Sequence, residues 1–330
     1  MLVNITNLTS LDYMFYDSDM SSIIFTSKFN TTHIESMNYM FSSCSHLTSI
    51  DFSYFNTGNT KIFTNMFSNC NELANFNFSF FNLTSAENMS NMFKGCMSLT
   101  SIDFSNINTP NLKDLSSFFD SCSSLEYADF SNFNTEKLEN TSYMFIRCEK
   151  LTSINLSSFY KTDIKDMNHM FASCLSLISI DLSNFDSSKV FNMSHLFFYG
   201  ESLEFINLTN FITSNVVDMS YMLYDCYKLL SINLSSFDTS KVVNMSEMFA
   251  YSYHLTSLDI SNFNTSSVKD MNGMLSALML NSIDISNFDT SNVLDMGNMF
   301  YWSDFSTLNI SHFDTSKVTN MGAYFKDVNF

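Results

Sequence analysis

Leu47-Thr48-Ser49-Ile50-Asp51-Phe52-Ser53 returns as Leu99-Thr100-Ser101-Ile102-Asp103-Phe104-Ser105, and that return decides the fold. Stretches of the same pattern start at 47, 73, 99, 125, 151, 177, 203, 229 and 255, always 26 residues apart, and then at 280 and 305 after two steps of 25. A weaker unit fills 21–46 and a partial one fills 1–20. Residues 1–330 therefore read as a single solenoid of about twelve repeats plus a partial N-terminal repeat, with no separate domains. A chain this periodic specifies stacking of like on like rather than a compact globule.

We number columns from Leu47 as column 1. Columns 1, 4 and 6 are apolar and columns 3, 5 and 7 polar, as in Leu229, Ile232 and Leu234 against Ser231, Asn233 and Ser235. That alternation predicts a strand with one buried face. Successive strands should lie parallel and about 4.8 Å apart, making one sheet roughly 55 Å long. Column 9 is Phe in nearly every unit, from Phe29 and Phe55 to Phe288 and Phe313, and reads as a stacked aromatic spine. Columns 14, 17, 20, 21 and 24 are apolar next, as in Val242, Met245, Met248 and Phe249. Spacings of three and four fit one face of a short helix or 3-10 turn, which forms the opposite wall. Asp238-Thr239-Ser240 and its counterparts are positioned to cap it.

Composition narrows the function. Hydrophobic residues are 45% of the chain, with 36 Phe and 23 Met, enough for an extended core. With one Pro and six Gly, corners must be made by Asn, Asp, Ser and Thr. A formal charge of −18 repels phosphate backbones and anionic headgroups, so nucleic acid is a poor partner. No apolar run has the roughly 20 residues of a membrane-spanning helix, and Met1-Leu2-Val3-Asn4-Ile5-Thr6 lacks the features of a signal peptide. Membrane insertion by this chain is not expected. Phe325 and Phe330 end it within a repeat, which predicts exposed apolar ends and end-to-end association.

All seven cysteines share column 24: Cys44, Cys70, Cys96, Cys122, Cys148, Cys174 and Cys226, with Gly200 and Ser252 in the same place elsewhere. An odd count and free exchange with small residues predict buried, reduced thiols rather than disulfides or zinc ligands. The six histidines show no ligand spacing, and no nucleophile motif stands out from the repeat. The sequence predicts no catalytic residues, no metal and no cofactor.

Units such as 229–249, and Phe313-Asp-Thr-Ser-Lys-Val-Thr-Asn-Met321 near the end, closely resemble the 26-residue bacterial surface-protein repeat of the BspA-like leucine-rich-repeat family. The resemblance implies a leucine-rich-repeat-like solenoid, a cell-surface or secreted location, and adhesion to a host or matrix protein or to another cell surface. It carries no catalytic residues to transfer.

A partner would meet the outward strand columns. Column 5 holds Asp51, Asp103, Asp129, Asp181, Asp259 and Asp284 interspersed with Asn77, Asn155, Asn207, Asn233 and Asn309. This reads either as an acidic strip for a basic partner, or for divalent cations bridging adjacent carboxylates, or as a merely solvated face. Tyr127 and Phe205 replace Ser in column 3, and Ile212 replaces Asp or Asn in column 10. Exposed aromatics on a polar strip are contact anchors. The leading expectation is thus a protein-binding adhesion module. The rivals are a passive stalk or spacer, and a glycan- or ice-binding surface built on the column 11 threonines Thr57, Thr109, Thr135, Thr213, Thr239, Thr265, Thr290 and Thr315.

Overall fold

A computed structural model describes residues 7–26 and 29–326. Thr6 and the residues before it, and Phe330, lie outside the described residues. The chain divides into two compact units, Met1–Ile164 and Lys165–Phe330.

In the first unit the strands are β1 (Ser22–Ile24), β2 (Ser49–Asp51), β3 (Asn75–Asn77), β4 (Ser101–Asp103), β5 (Tyr127–Asp129) and β6 (Ser153–Asn155). They pair in parallel as β1 with β2, β3 with β4, and β5 with β6. The second unit holds β7 (Ser179–Asp181) paired in parallel with β8 (Phe205–Asn207). The pairing keeps the repeat in register, Ile102 facing Phe76 and Ile206 facing Ile180. The strand wall is therefore parallel as expected, but it comes as two-stranded ladders rather than one uninterrupted sheet. Each strand stops after three residues for a local reason. The column 5 Asp or Asn carbonyl-type oxygen accepts the amide of column 7, at 2.7–3.1 Å in every unit from Asp51 to Asn309. This Asx turn bends the chain out of the ladder.

The same device recurs in column 10, as Asn56 to Gly58 and Asp238 to Ser240, and in column 16, as Asp114 to Ser116 and Asn244 to Ser246. Three corners per coil are thus made by one acceptor oxygen each. Any side chain that offers it will serve, which is why Asp and Asn interchange freely.

The opposite wall is built of turns. Met37, Tyr39, Phe41 and Ser43 donate their amides to Ile62, Thr64, Met66 and Ser68 of the next coil at 2.7–2.9 Å, while Met40, Ser42 and Cys44 close i to i+3 bonds within their own coil at 3.2 Å. Every second amide goes across and the others stay local, so none of these groups is orphaned. The arrangement requires a left-handed residue at columns 19 and 23, such as Tyr39 (φ 54°) and Ser43 (φ 63°). Among the described residues, all left-handed non-glycines except Asn210 fall in those two columns. The tight i to i+3 turns are those the column spacing allows. A continuing helix is excluded because a left-handed residue interrupts it every four residues. The single 3-10 turn, Phe78–Phe80, lies elsewhere, just after β3.

Columns 17, 20, 21 and 24 point inward and are fully buried, as for Met37, Met40, Phe41 and Cys44. Each such apolar side chain contributes about 1.5–3 kcal/mol on burial. The stacked spine belongs to column 21: Phe15, Phe41, Phe67 and Phe93 follow one another at 5.3–5.5 Å with planes within 14°. Column 9 is buried too; in the first unit its rings tilt, Phe29 to Phe55 standing 40° apart, while in the second they stack as the sequence predicts, Phe185 on Phe211 and Phe211 on Phe237 at 6.1 and 6.4 Å.

Two buried columns fasten one coil to the next. The Thr239 hydroxyl donates to the Asn264 carbonyl at 2.9 Å and accepts the Asn264 amide at 2.8 Å. Thr57 and Thr213 do the same to Asn82 and Asp238. Column 24 reaches back instead: Cys70, Cys96 and Cys122 donate from Sγ to the carbonyls of Phe41, Phe67 and Phe93 at 3.1 Å, and Ser252 donates to Leu223 at 2.8 Å. Column 24 thus takes a small donor in most coils, Gly200 and Leu278 excepted, and the seven thiols are buried.

Thr239→Val, which keeps the shape and removes both bonds, should lower unfolding free energy by about 1–3 kcal/mol in urea titration, while Thr239→Ser stays closer to the parent. Burial raises the thiol pKa of Cys70, Cys96 and Cys226. All seven cysteines should therefore resist a disulfide reagent in the native protein and react together on denaturation.

Candidate binding surface on the strand wall

The outward residues of the strand wall are those of columns 2, 3, 5 and 8. Most of them stitch coils together. Thr100 and Thr152 of column 2 donate to the Ala74 and Glu126 carbonyls. Asn262 and Asn287 of column 8 donate to Leu234 and Ile260 of the preceding coils. Surface character therefore changes only where a column gives up its stitch.

In the first unit, β2 to β5 frame an open groove of about 740 Å³. Its floor is apolar, from Ile50, Phe76 and Ile102, and its rim is polar, from Asn75, Ser101 and Asp103. Two aromatic side chains stand at its edge: Tyr127, 47% exposed, and Phe80, 52% exposed. Phe80 comes from the 3-10 turn that Asn77 caps by accepting the Ser79 amide. It occupies column 8, where Asn132 elsewhere bonds to the preceding coil.

The groove brings together three of the residues singled out by sequence, Tyr127, Asp103 and Asp129. Asp51 is not among the residues that line it. Phe205, Asp181, Asp259 and Asp284 belong to the second unit. There Phe205, 58% exposed, faces Ser179 across the β7–β8 ladder. Ile178 and Leu230, each 54% exposed, flank it in column 2 of the coils before and after. Ile212, in column 10, is exposed and has no side-chain acceptor for the Asx turn, while its amide keeps the bond to the column 11 hydroxyl of the preceding coil, here Ser187, at 2.7 Å. Sequence reading missed Phe80, Ile178 and Leu230, although each breaks a polar column.

The acidic column has a structural occupation. Backbone and then side-chain hydrogen bonds from Ser53, Ser105 and Ser183 hold the Asp51, Asp103 and Asp181 carboxyls below the usual range. At Asp259 and Asp284 the Ser261 and Ser286 hydroxyls, then the amides, do the same. Asp129 carries a desolvation penalty, yet its bonds to Ser131 still hold it low. Partial burial and then the Asp129 carboxylate push the Tyr127 hydroxyl up. In the paired strands Asn77 faces Asp103, Asp129 faces Asn155 and Asp181 faces Asn207, whereas Asp259 and Asp284 follow one another in successive coils and repel. Among the described residues no group of three His, Cys, Asp or Glu converges as metal ligands.

The column 11 threonines Thr57, Thr109, Thr135, Thr213, Thr239, Thr265 and Thr290 are buried. A ligand surface made of them is thereby contradicted, because their hydroxyls are spent on the next coil. Among the described residues no helix is long and apolar enough to cross a membrane.

A family model described as "Mycoplasma protein of unknown function, DUF285" matches residues 2–102, 64–177, 89–204, 149–251 and 227–330. Comparison with curated proteins gives no match. Among solved structures, the chain is similar to a leucine-rich repeat protein from Bacteroides ovatus, at 16% identity and TM-score 0.43, over 88% of this chain and 77% of that one. It is similar to a leucine rich cell surface protein from Faecalibacterium prausnitzii, at 16% identity and TM-score 0.32, over 96% and 79%. An internalin from Listeria monocytogenes, InlF, matches at 12% identity and TM-score 0.28, over 95% and 88%.

A carboxyl held low in the fold stabilises above its ordinary pKa, and that contribution is lost as pH falls through the lowered value. Asp103→Asn with Asp181→Asn keeps both acceptor oxygens and removes the titration. The double variant should match the parent at pH 7 and lose less of its unfolding midpoint between pH 6 and pH 3, as followed by circular dichroism.

Proposed function

We propose that this chain, which belongs to the family described as mycoplasma proteins of unknown function, DUF285, is a non-catalytic protein-binding module displayed at a cell surface, taking its partner on the strand wall. The observation that carries this reading is the groove of the first unit, where Tyr127 and Phe80 stand exposed at the edge of an apolar floor with a polar rim. Rigid aromatic anchors beside an apolar concavity, with a hydrogen-bonding rim, are what a protein partner's buried side chains need. The partner is a host or matrix protein or another cell surface, as the family resemblance implies.

A passive spacer gains nothing by exchanging the column 8 stitch for an exposed phenylalanine, so Phe80 favours binding over that alternative. Catalysis has no support in the side chains present, for the column 5 carboxylates are held by amides and the thiols are buried.

Surface plasmon resonance of the full chain over immobilised matrix proteins, with adhesion to mucosal cells alongside, tests the reading. Saturable binding should weaken roughly tenfold or more in Tyr127→Ser and in Phe80→Ser, the scale for losing an aromatic anchor worth about 1–2 kcal/mol. Phe205→Ser reports separately on the second unit. Binding indifferent to all three would remove the strand wall from the account, and a folded chain that binds nothing would leave the spacer.

A further inference from the structure

The groove over β2 to β5 is selective in its chemistry, and its side chains narrow the kind of segment that fits it. Its floor is open to solvent: Ile50 and Ile102 are partly exposed in column 4, where Ile180 and Ile206 of the second unit are buried. The hydrogen-bonded wall is also interrupted there, since β2 and β3 both line the groove but belong to different ladders. Apolar groups laid across that seam cover surface that the chain itself leaves in water.

The rim offers donors and negative charge. Asn75 stands in column 3, where Ser is the rule, and its Oδ1 accepts the Ser101 hydroxyl at 3.0 Å. The Oδ1 of Asn77 accepts the Ser79 amide at 2.7 Å. Among the described residues neither side-chain NH2 group has an acceptor, so two donors stand at the rim. The charged side chains that line the groove, Asp103 and Asp129, are both acids. Each spends one oxygen on a turn amide at 2.9 Å and keeps the other. The Tyr127 hydroxyl lies beside Asp129 and Asn155, which fixes its exposed ring. Phe80 is held out by the 3-10 turn.

These features suit one backbone conformation. An α-helix spends its carbonyls internally and offers none to Asn75 and Asn77. An added β-strand pairs with an open sheet edge, whereas the groove lies on the face of the wall. Polyproline II has no internal hydrogen bonds, so its carbonyls are free to accept, and proline brings no N–H that needs an acceptor. Its side chains return to one face every third residue, about 9 Å apart. Phe80 and Tyr127 belong to coils two steps apart, about 10 Å along the axis. A chain already held in this conformation loses little freedom on docking to aromatic platforms.

We propose that the groove takes a proline-rich segment of the partner protein in polyproline II conformation, an inference that rests on the strand-wall reading above. Prolines pack on Phe80 and Tyr127, carbonyls accept from Asn75 and Asn77, and a lysine or arginine of the same segment pairs with Asp103 and Asp129.

The test is calorimetric titration of the full chain with a synthetic peptide of Pro-Pro-Leu triplets ending in arginine. Saturable binding is expected. The same peptide with glycine for every proline keeps the leucines and the charge, and should bind at least tenfold more weakly. Tyr127→Ser and Asn75→Ser restore the residue that column 3 carries in most coils, and Phe80→Asn restores the commonest residue of column 8, so all three should fold. Loss of either ring should weaken the proline peptide about tenfold and Asn75→Ser about threefold. Phe205→Ser, in the second unit, should leave it unchanged. Equal binding of the glycine peptide, or indifference to Tyr127, Phe80 and Asn75, would overturn the proposal. So would absence of saturable binding at millimolar peptide, or saturable binding of a leucine- and arginine-bearing helical peptide or of a β-1,4-linked oligosaccharide instead. Matrix proteins that bind through Tyr127 and Phe80 while the proline peptide does not would leave the strand-wall reading standing and remove this one alone.

Discussion

Every coil of this chain must hand backbone amides to a neighbouring coil, because no α-helix is present among the described residues to satisfy them internally. The turn wall meets the requirement by sending alternate amides across and closing the rest locally, and this works only with left-handed residues at columns 19 and 23. For a non-glycine each such residue costs about 1–2 kcal/mol. The cost recurs along each unit and is offset by the cross-coil ladder and by the buried Met, Phe and Cys files that the turns aim inward. The same geometry sets columns 19 and 23 in files along the turn wall, each residue above its counterpart. A property placed there in consecutive coils becomes a stripe, as it does from His169 through Tyr221.

Side-chain chemistry is subordinate to the same requirement. Columns 5, 10 and 16 need one acceptor oxygen, column 11 a hydroxyl that both gives and takes, and column 24 a small donor. These needs are indifferent to charge and to redox chemistry, so Asp exchanges with Asn and Cys with Ser. Much of the acidity that would suggest a ligand strip in column 5 follows from corner-making, and a file of thiols follows from a hydrogen bond to the preceding coil.

The fold was legible because, in a solenoid, a residue's column is its tertiary environment, so the period displays the packing directly. The turn type was less legible, since inward positions at 17, 20, 21 and 24 suit a helix face and a series of i to i+3 turns alike. Column 9, where Phe is most regular, shows as a stacked file in the sequence and is one in the second unit, whereas the tighter file of column 21 in the first unit is masked by its resemblance to a helix face. Tyr127 could be found as a break in column 3. Phe80, Ile178 and Leu230 were equally visible as breaks in columns 8 and 2, but the polar role of those columns emerges only from their bonds to neighbouring coils. The ring file of column 19 was hidden for another reason: on a helix, columns 19 and 23 would spread around the outer face, whereas on this wall each runs in a file, as His169, His195 and Tyr221 do.

A tolerant array accumulates column breaks, so one exposed aromatic residue says little. What separates a built surface from drift is coincidence of breaks in different columns. Phe80 and Tyr127 depart from columns 8 and 3, two coils apart, and meet at one groove. Ile178, Phe205 and Leu230 depart from columns 2 and 3 in three successive coils. Each forfeited stitch gives up about 0.5–1.5 kcal/mol of hydrogen bonding, and unselected losses of that size would scatter over the array. On the proposed reading, breaks that meet at one groove serve contact with a partner, which length alone would not require.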